Sequence, residues 1–115
     1  MLKWLYLMPL FFLIFLIQVP CLCQNLSWKN YTTDNGLPGN EVYDQLQDSR
    51  GYMWFATNYG ICKFTGYEFV QPVDTSAFKG TEAFLPTEDN QGKIWFSRLN
   101  GSIWKIENDT IRAWE

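Results

Sequence analysis

The stretch Asp48-Ser-Arg-Gly-Tyr-Met-Trp-Phe55 returns as Asp89-Asn-Gln-Gly-Lys-Ile-Trp-Phe96, forty-one positions on. Asp48, Gly51, Trp54 and Phe55 recur as Asp89, Gly92, Trp95 and Phe96, and an apolar residue precedes each Trp (Met53, Ile94). A second block, Gly60-Ile-Cys-Lys-Phe64, returns as Gly101-Ser-Ile-Trp-Lys-Ile106 with one residue inserted. A period of about forty residues, filled with short β-type segments, is the spacing of propeller blades. Leucine-rich and ankyrin repeats are shorter, and no helical periodicity accompanies the repeat. The spacing predicts an all-β chain of two four-stranded antiparallel β-propeller blades. Closed rings take typically about four to eight blades, so two form an incomplete propeller.

The N-terminus of the 115-residue chain reads differently. Met1-Leu-Lys3 carries one positive charge, residues 5–17 are apolar apart from Pro9, and Gln18-Val-Pro-Cys-Leu-Cys23 follows. That order is the n-, h- and c-region of a secretory signal peptide. We expect a signal helix over residues 1–23, processing between Cys23 and Gln24, and a periplasmic or secreted product. The competing reading is an uncleaved membrane anchor over residues 4–22, and contact with a membrane would then run through this segment alone. Cleavage would leave 92 residues of formal charge −4, an acidic balance that gives no reason to expect nucleic acid as partner. Two of the three cysteines leave with the signal, so Cys62 has no partner for an intramolecular disulfide. It sits in an apolar slot and reads as an inert core residue.

After the signal come a leading strand and loop over residues 24–40, a first blade over 41–82 and a second over 83–115. The leading strand is expected at 28–33. Blade strands are expected at 41–47, 52–57, 61–64 and 67–70, then at 83–88, 93–98, 102–106 and 110–114. Asp48-Ser-Arg-Gly51 and Asp89-Asn-Gln-Gly92 are hairpin turns in which Asp accepts from backbone N–H groups and Gly takes the left-handed position. Pro86 falls inside a strand, which suits a sheet edge and not its centre. The runs around Trp54 and Trp95 are apolar at consecutive positions, so both faces of each sheet call for cover. A buried aromatic side chain covers about 150–250 Å², on the order of 4–6 kcal/mol at about 25 cal/mol per Å². Two blades share a single interface. The outer faces, carrying Met53 or Trp54 and Ile94 or Trp95 according to the pleat, are expected to stay bare and to drive self-association.

Few residues suggest chemistry. Asp48 and Asp89 are isolated carboxylates apart from Glu88, whereas calcium loops gather several oxygens, so no metal site is assigned. No catalytic constellation and no cofactor motif stands out. Trp54, Trp95, Trp104 and Trp114 could stack on sugars but read first as core. Asn58 and Tyr59, between two strands, are the better guesses for an exposed contact, and the ligand-binding residues stay unknown.

Trp28-Lys-Asn-Tyr-Thr-Thr-Asp-Asn-Gly-Leu-Pro-Gly-Asn40, then Val42 and Gln47-Asp-Ser-Arg-Gly-Tyr-Met-Trp-Phe-Ala-Thr57, resembles the opening of two-component regulator propellers. These are periplasmic sensor regions of histidine kinases, including hybrid ones, common in Bacteroidetes. Gly60-Ile-Cys-Lys-Phe64 and Gly66-Tyr-Glu-Phe69 continue that family's repeat, and the likeness runs to about Ile106. The second copy departs from it, with Ser97-Arg98-Leu99 where Gly or Ala and then Thr is usual. The resemblance implies a non-catalytic sensor segment, part of a ligand-sensing propeller, with an oligosaccharide or other small extracytoplasmic molecule as signal. It also implies that the leading strand completes the last blade. The chain has no histidine and so no phosphoacceptor histidine, and no kinase core is present in it. The alternatives are a secreted interaction module that self-assembles, or a gene remnant without function of its own.

Overall fold

The computed structural model describes residues 26–74 and 80–114. The expected signal helix and the processing point at Cys23 and Gln24 lie outside the described residues. Among those described, no helix is long and apolar enough to cross a membrane.

Two β-sheets account for the described structure. The first has the order β1-β2-β3-β4, from β1 (Val42–Gln47), β2 (Met53–Thr57), β3 (Gly60–Phe64) and β4 (Phe69–Val70), all antiparallel. The second contains β6 (Phe84–Glu88), β7 (Ile94–Ser97), β8 (Ile103–Glu107) and β9 (Thr110–Ala113), again an antiparallel meander. These are the two four-stranded blades that the repeat predicts. One strand was not anticipated. β5 (Val73–Asp74) leaves the first blade and pairs parallel with β9, Val73 opposite Thr110, which makes the second sheet five-stranded.

Register decides which aromatic side chains are buried. Trp54 lies between Leu46 and Lys63, and Ala56 lies opposite Ile61, so these residues share one face of the first blade. Met53, Phe55, Cys62, Phe64 and Phe69 share the other. In the second blade Ile94, Phe96, Trp104, Ile106 and Ile111 share one face, and Trp95, Ser97, Ile103 and Lys105 the other. The core forms where Trp54, Ala56 and Ile61 meet Ala83, Ile94, Phe96, Trp104, Ile106 and Ile111. Equivalent positions therefore have opposite fates. Trp54 is fully buried between the blades, while its counterpart Trp95 faces outward beside Trp114. This is the packing of successive wedges in a ring, in which the front of one blade meets the back of the next. The inner strands add a stack of Tyr43 on Phe84, centroids 4.9 Å apart, and a bond from Ala83 N–H to Thr57 O of 3.0 Å.

The leading segment departs from expectation. Residues 28–33 form no strand; instead Thr33–Asn35 is a single 3-10 turn. The cause is local polar chemistry. Thr32 Oγ1 accepts from Asp34 N–H, Asn35 Oδ1 accepts from Thr32 N–H at 3.0 Å, and Gly36 closes the turn at φ 103°. Trp28, at 89 % exposure, stays outside any sheet.

A second correction follows. The outer face of the first blade is not bare, because residues 31–39 lie across it. The Tyr31 ring sits 5.4 Å from Phe64 and 5.2 Å from Phe69. A Cβ on Gly36 would come within 3.2 Å of the Phe69 Cβ, and one on Gly60 within 3.5 Å of the Pro38 Cβ. Leu37 is buried, and Cys62 beneath is fully buried. Pro86 sits in β6, at the sheet edge, where the register slips between Phe84 and Thr87 and Leu85 takes φ 53°. The bulge removes the ladder position at which a missing N–H would matter.

Candidate functional site

Each blade carries one carboxylate that organises its inner hairpin. Asp48 Oδ1 accepts from Arg50 N–H at 3.0 Å and Tyr52 N–H at 2.9 Å, and Asp48 N–H donates back to Tyr52 O. Oδ2 accepts from the Trp54 indole Nε1–H at 3.0 Å and from Arg50 Nη2 at 3.1 Å. Asp89 repeats the arrangement: Oδ1 takes Gln91 and Lys93 N–H, and Oδ2 takes Trp95 Nε1–H at 2.7 Å. The spacing Asp-x-x-Gly-x-x-Trp thus has a physical content. One carboxylate closes the turn, and it holds an indole six residues on, at either of two levels of burial. Gly51 supplies the left-handed residue at φ 88° with open space around it.

Burial pushes the Asp48 carboxyl up. Its bonds from Trp54, Tyr52 and Arg50, together with the Arg50 charge, outweigh that and hold it below the usual carboxylate range. The Trp95 and Lys93 hydrogen bonds lower Asp89 in the same direction. Both carboxylates are committed to N–H donors, and among the described residues no group of three His, Cys, Asp or Glu gathers that could hold a metal ion.

Sequence reasoning missed the polar contacts that join the blades. Lys63, on the buried face of β3 with its side chain 10 % exposed, donates from Nζ to Asp109 Oδ1 of the β8–β9 turn at 2.7 Å. Its ammonium also lies 5.1 Å from the Tyr52 ring and 5.7 Å from the Trp54 ring. Glu88 of β6 accepts from Ser49 N–H at 2.7 Å and from Ser49 Oγ at 2.6 Å. A lysine in an otherwise apolar strand was the one available signal; nothing local marks Asp109 as more than a turn residue. Between these contacts runs a cleft of about 480 Å³, lined among others by Arg50, Trp54, Gln91, Lys93, Glu107 and Asp109. Its charges are internally matched, since Arg50 meets Asp48 and Lys93 meets Glu107 at 3.2 Å. The Lys93 hydrogen bond and charge hold Glu107 below its ordinary range.

At the opposite end of the strands stands the β2–β3 turn. Tyr59 is 61 % exposed, and its ring tip lies over Gly80, where a Cβ would come within 2.9 Å. Asn58 is only partly exposed, and its Oδ1 is buried without a hydrogen-bond partner. Phe55 stays half-buried against Phe69, and Gly60 and Gly101 begin or precede the third strand of their blades. Trp104 donates from Nε1 to Ser102 Oγ at 3.0 Å and is buried, whereas Trp114 is 60 % exposed.

The arrangement is one of mutual fit between wedges, with no nucleophile, base and orienting group set together among the described residues. Comparison with known proteins returned no match among curated proteins or solved structures. Residues 36–59, which span the loop before β1, the hairpin built on Asp48 and the turn at Tyr59, match the family model described as two component regulator propeller, and that match supports the family likeness carried by the sequence.

Proposed function

We propose that this chain is a non-catalytic extracytoplasmic sensor segment, contributing two blades to the ligand-sensing propeller of a two-component signal-transduction histidine kinase. The observation that carries this reading is the pair of Asp-anchored blades stacked front to back, the first of which matches the regulator propeller repeat. The signal it serves is an oligosaccharide or another small molecule outside the cytoplasm. In such a role the blades are scaffold, and the exposed turns, Asn58 and Tyr59 among them, are the parts that can vary for a ligand.

The kinase context is tested at the level of the transcript. Full-length sequencing of the message should show further blades and a histidine kinase core in the same frame. A message that encodes these two blades alone would sink the sensor reading and favour a secreted interaction module. Export has its own test. Mass spectrometry of the periplasmic fraction should find an N-terminus at Gln24, and an intact Met1 in the membrane fraction would favour the anchor.

A further inference from the structure

We propose that the open face of the second blade, built on Trp95, Ile103, Lys105 and Trp114, docks one further blade that carries apolar side chains on its facing sheet and a carboxylate in the turn before its outer strand. The inference rests on the multi-blade reading above, and it adds the chemistry of the neighbour.

The argument starts from the interface already present. Trp54, Ala56, Ile61 and Lys63 form the covered face of the first blade, and all four are buried. The repeat sets Trp95, Ser97, Ile103 and Lys105 at the same places in the second. The register agrees, since Trp54 pairs with Lys63 and Trp95 pairs with Lys105. Even the cation–ring geometry recurs: Lys63 Nζ is 5.7 Å from the Trp54 ring and Lys105 Nζ is 5.8 Å from the Trp95 ring. Yet among the described residues no sheet covers the second face: Ile103 is 40 % and Trp114 60 % exposed, and Trp95, Ser97 and Lys105 are half-buried where their counterparts are buried. What covers the first face is a sheet bearing Ile94, Phe96, Ile106 and Ile111, whose Asp109 reaches Lys63 and whose Glu88 reaches Ser49. The same face at the next position calls for the same partner. Lys105 has no counterpart of the Asp109 contact among the described residues: its ion pair is with Glu107 of its own strand, at 3.7 Å.

A second copy of this chain fits poorly. The outer face of its first blade already has residues 31–39 across it. Tyr67 stands at the place of Asp109, and Gln47 at the place of Glu88, so both carboxylates are missing. Two second blades meeting face to face would bring Lys105 and Arg112 against their own copies, a like-charge contact.

The test extends the full chain at its C-terminus with a second copy of residues 71–115, which supplies a blade with Asp109 and Glu88. The extended protein should melt about 5 °C or more above the parent, with its tryptophans less open to acrylamide. Lys105→Glu should lower the midpoint by more in the extended chain than in the parent, where it loses only its contacts with Glu107 and the Trp95 ring. Changing the added copy's aspartate (the repeat of Asp109) to lysine should restore it. An equal effect of Lys105→Glu in both chains would overturn the proposal. Should the extended protein prove insoluble, the parent still decides. Ile103→Thr with Trp114→Ser should reduce dye binding and association, and no change in either would overturn it. None of these results depends on what the full transcript encodes, so failure here is separable from failure of the kinase reading.

Discussion

Replacing Asp48 by alanine removes an acceptor for four donors at once, and the structure allows the cost to be apportioned. Arg50 is largely exposed, so its ion pair contributes almost nothing once solvent screening is counted. The Tyr52 and Arg50 N–H groups sit in a turn that water can reach, and each lost bond to a charged acceptor costs about 1 kcal/mol there. Trp54 is different, because its residue is fully buried and its Nε1–H would find no replacement acceptor. Leaving it unpaired costs about 1–3 kcal/mol. The total of about 3–5 kcal/mol is a large share of the roughly 5–15 kcal/mol that holds a domain of this size together. Urea unfolding followed by tryptophan fluorescence measures it. The pH dependence gives a sharper check. Asp48 has a folded pKa below its unfolded value, so its contribution is present above the unfolded pKa of about 3.9 and is lost as pH falls through the folded value. Wild type and Asp48→Ala should therefore converge in stability as pH drops below about 4. A difference under about 1 kcal/mol at neutral pH, or one that stays constant into acid, would refute the reasoning.

Lys63→Met should keep the stem packed on Trp54 and cost under about 1 kcal/mol, whereas Lys63→Glu, which sets a buried carboxylate near Asp109, should cost about 3 kcal/mol or more in the same assay. Burial pushes the Cys62 thiol up to about 12, so native protein at pH 8 should resist an aromatic disulfide reagent and react only after denaturant is added; prompt labelling would contradict its placement. Gly51→Ala meets open space and should cost about 1 kcal/mol for its positive φ, while Gly36→Ala also presses on Phe69 and should cost about 2 kcal/mol. Equal midpoints for these two variants would argue against the docking of residues 31–39 on the first blade.

The strands were legible because two independent signals coincide: apolar runs and the Asp, Asn and Gly turns that punctuate them. Residues 61–64 and 93–98, read from that pattern, correspond to Gly60–Phe64 and Ile94–Ser97. The pleat was not legible. Met53 and Trp54 are both apolar, and only the position of the neighbouring blade decides which one turns inward. The leading segment misled because Trp28 and Tyr31 favour strands, while Thr32, Asn35 and Gly36 satisfy one another locally and win. β5 left no trace in the pattern: two residues after Pro72 are too few to show a period, and a parallel pair has no hairpin turn to announce it. The joining contacts were hidden for a related reason. Lys63 and Asp109 are distant in sequence, and their meeting is a property of the stack.

The parallel pairing of β5 with β9 sets an order of events in folding. Every other strand pair in the two blades joins neighbours in the chain, so those hairpins close over short loops. β5 is laid down first and must wait until a whole blade has been synthesised and turned back before its partner exists. Closing that longer loop carries a larger entropic cost than closing any of the hairpins. Until β9 arrives, β5 has no strand to pair with, and the blades are joined through the core and through β6, by Tyr43 on Phe84, Ala83 on Thr57 and Ser49 on Glu88. The last strand made therefore adds the final backbone tie between the blades, and a chain whose synthesis pauses before Thr110 presents them without the β5–β9 pair.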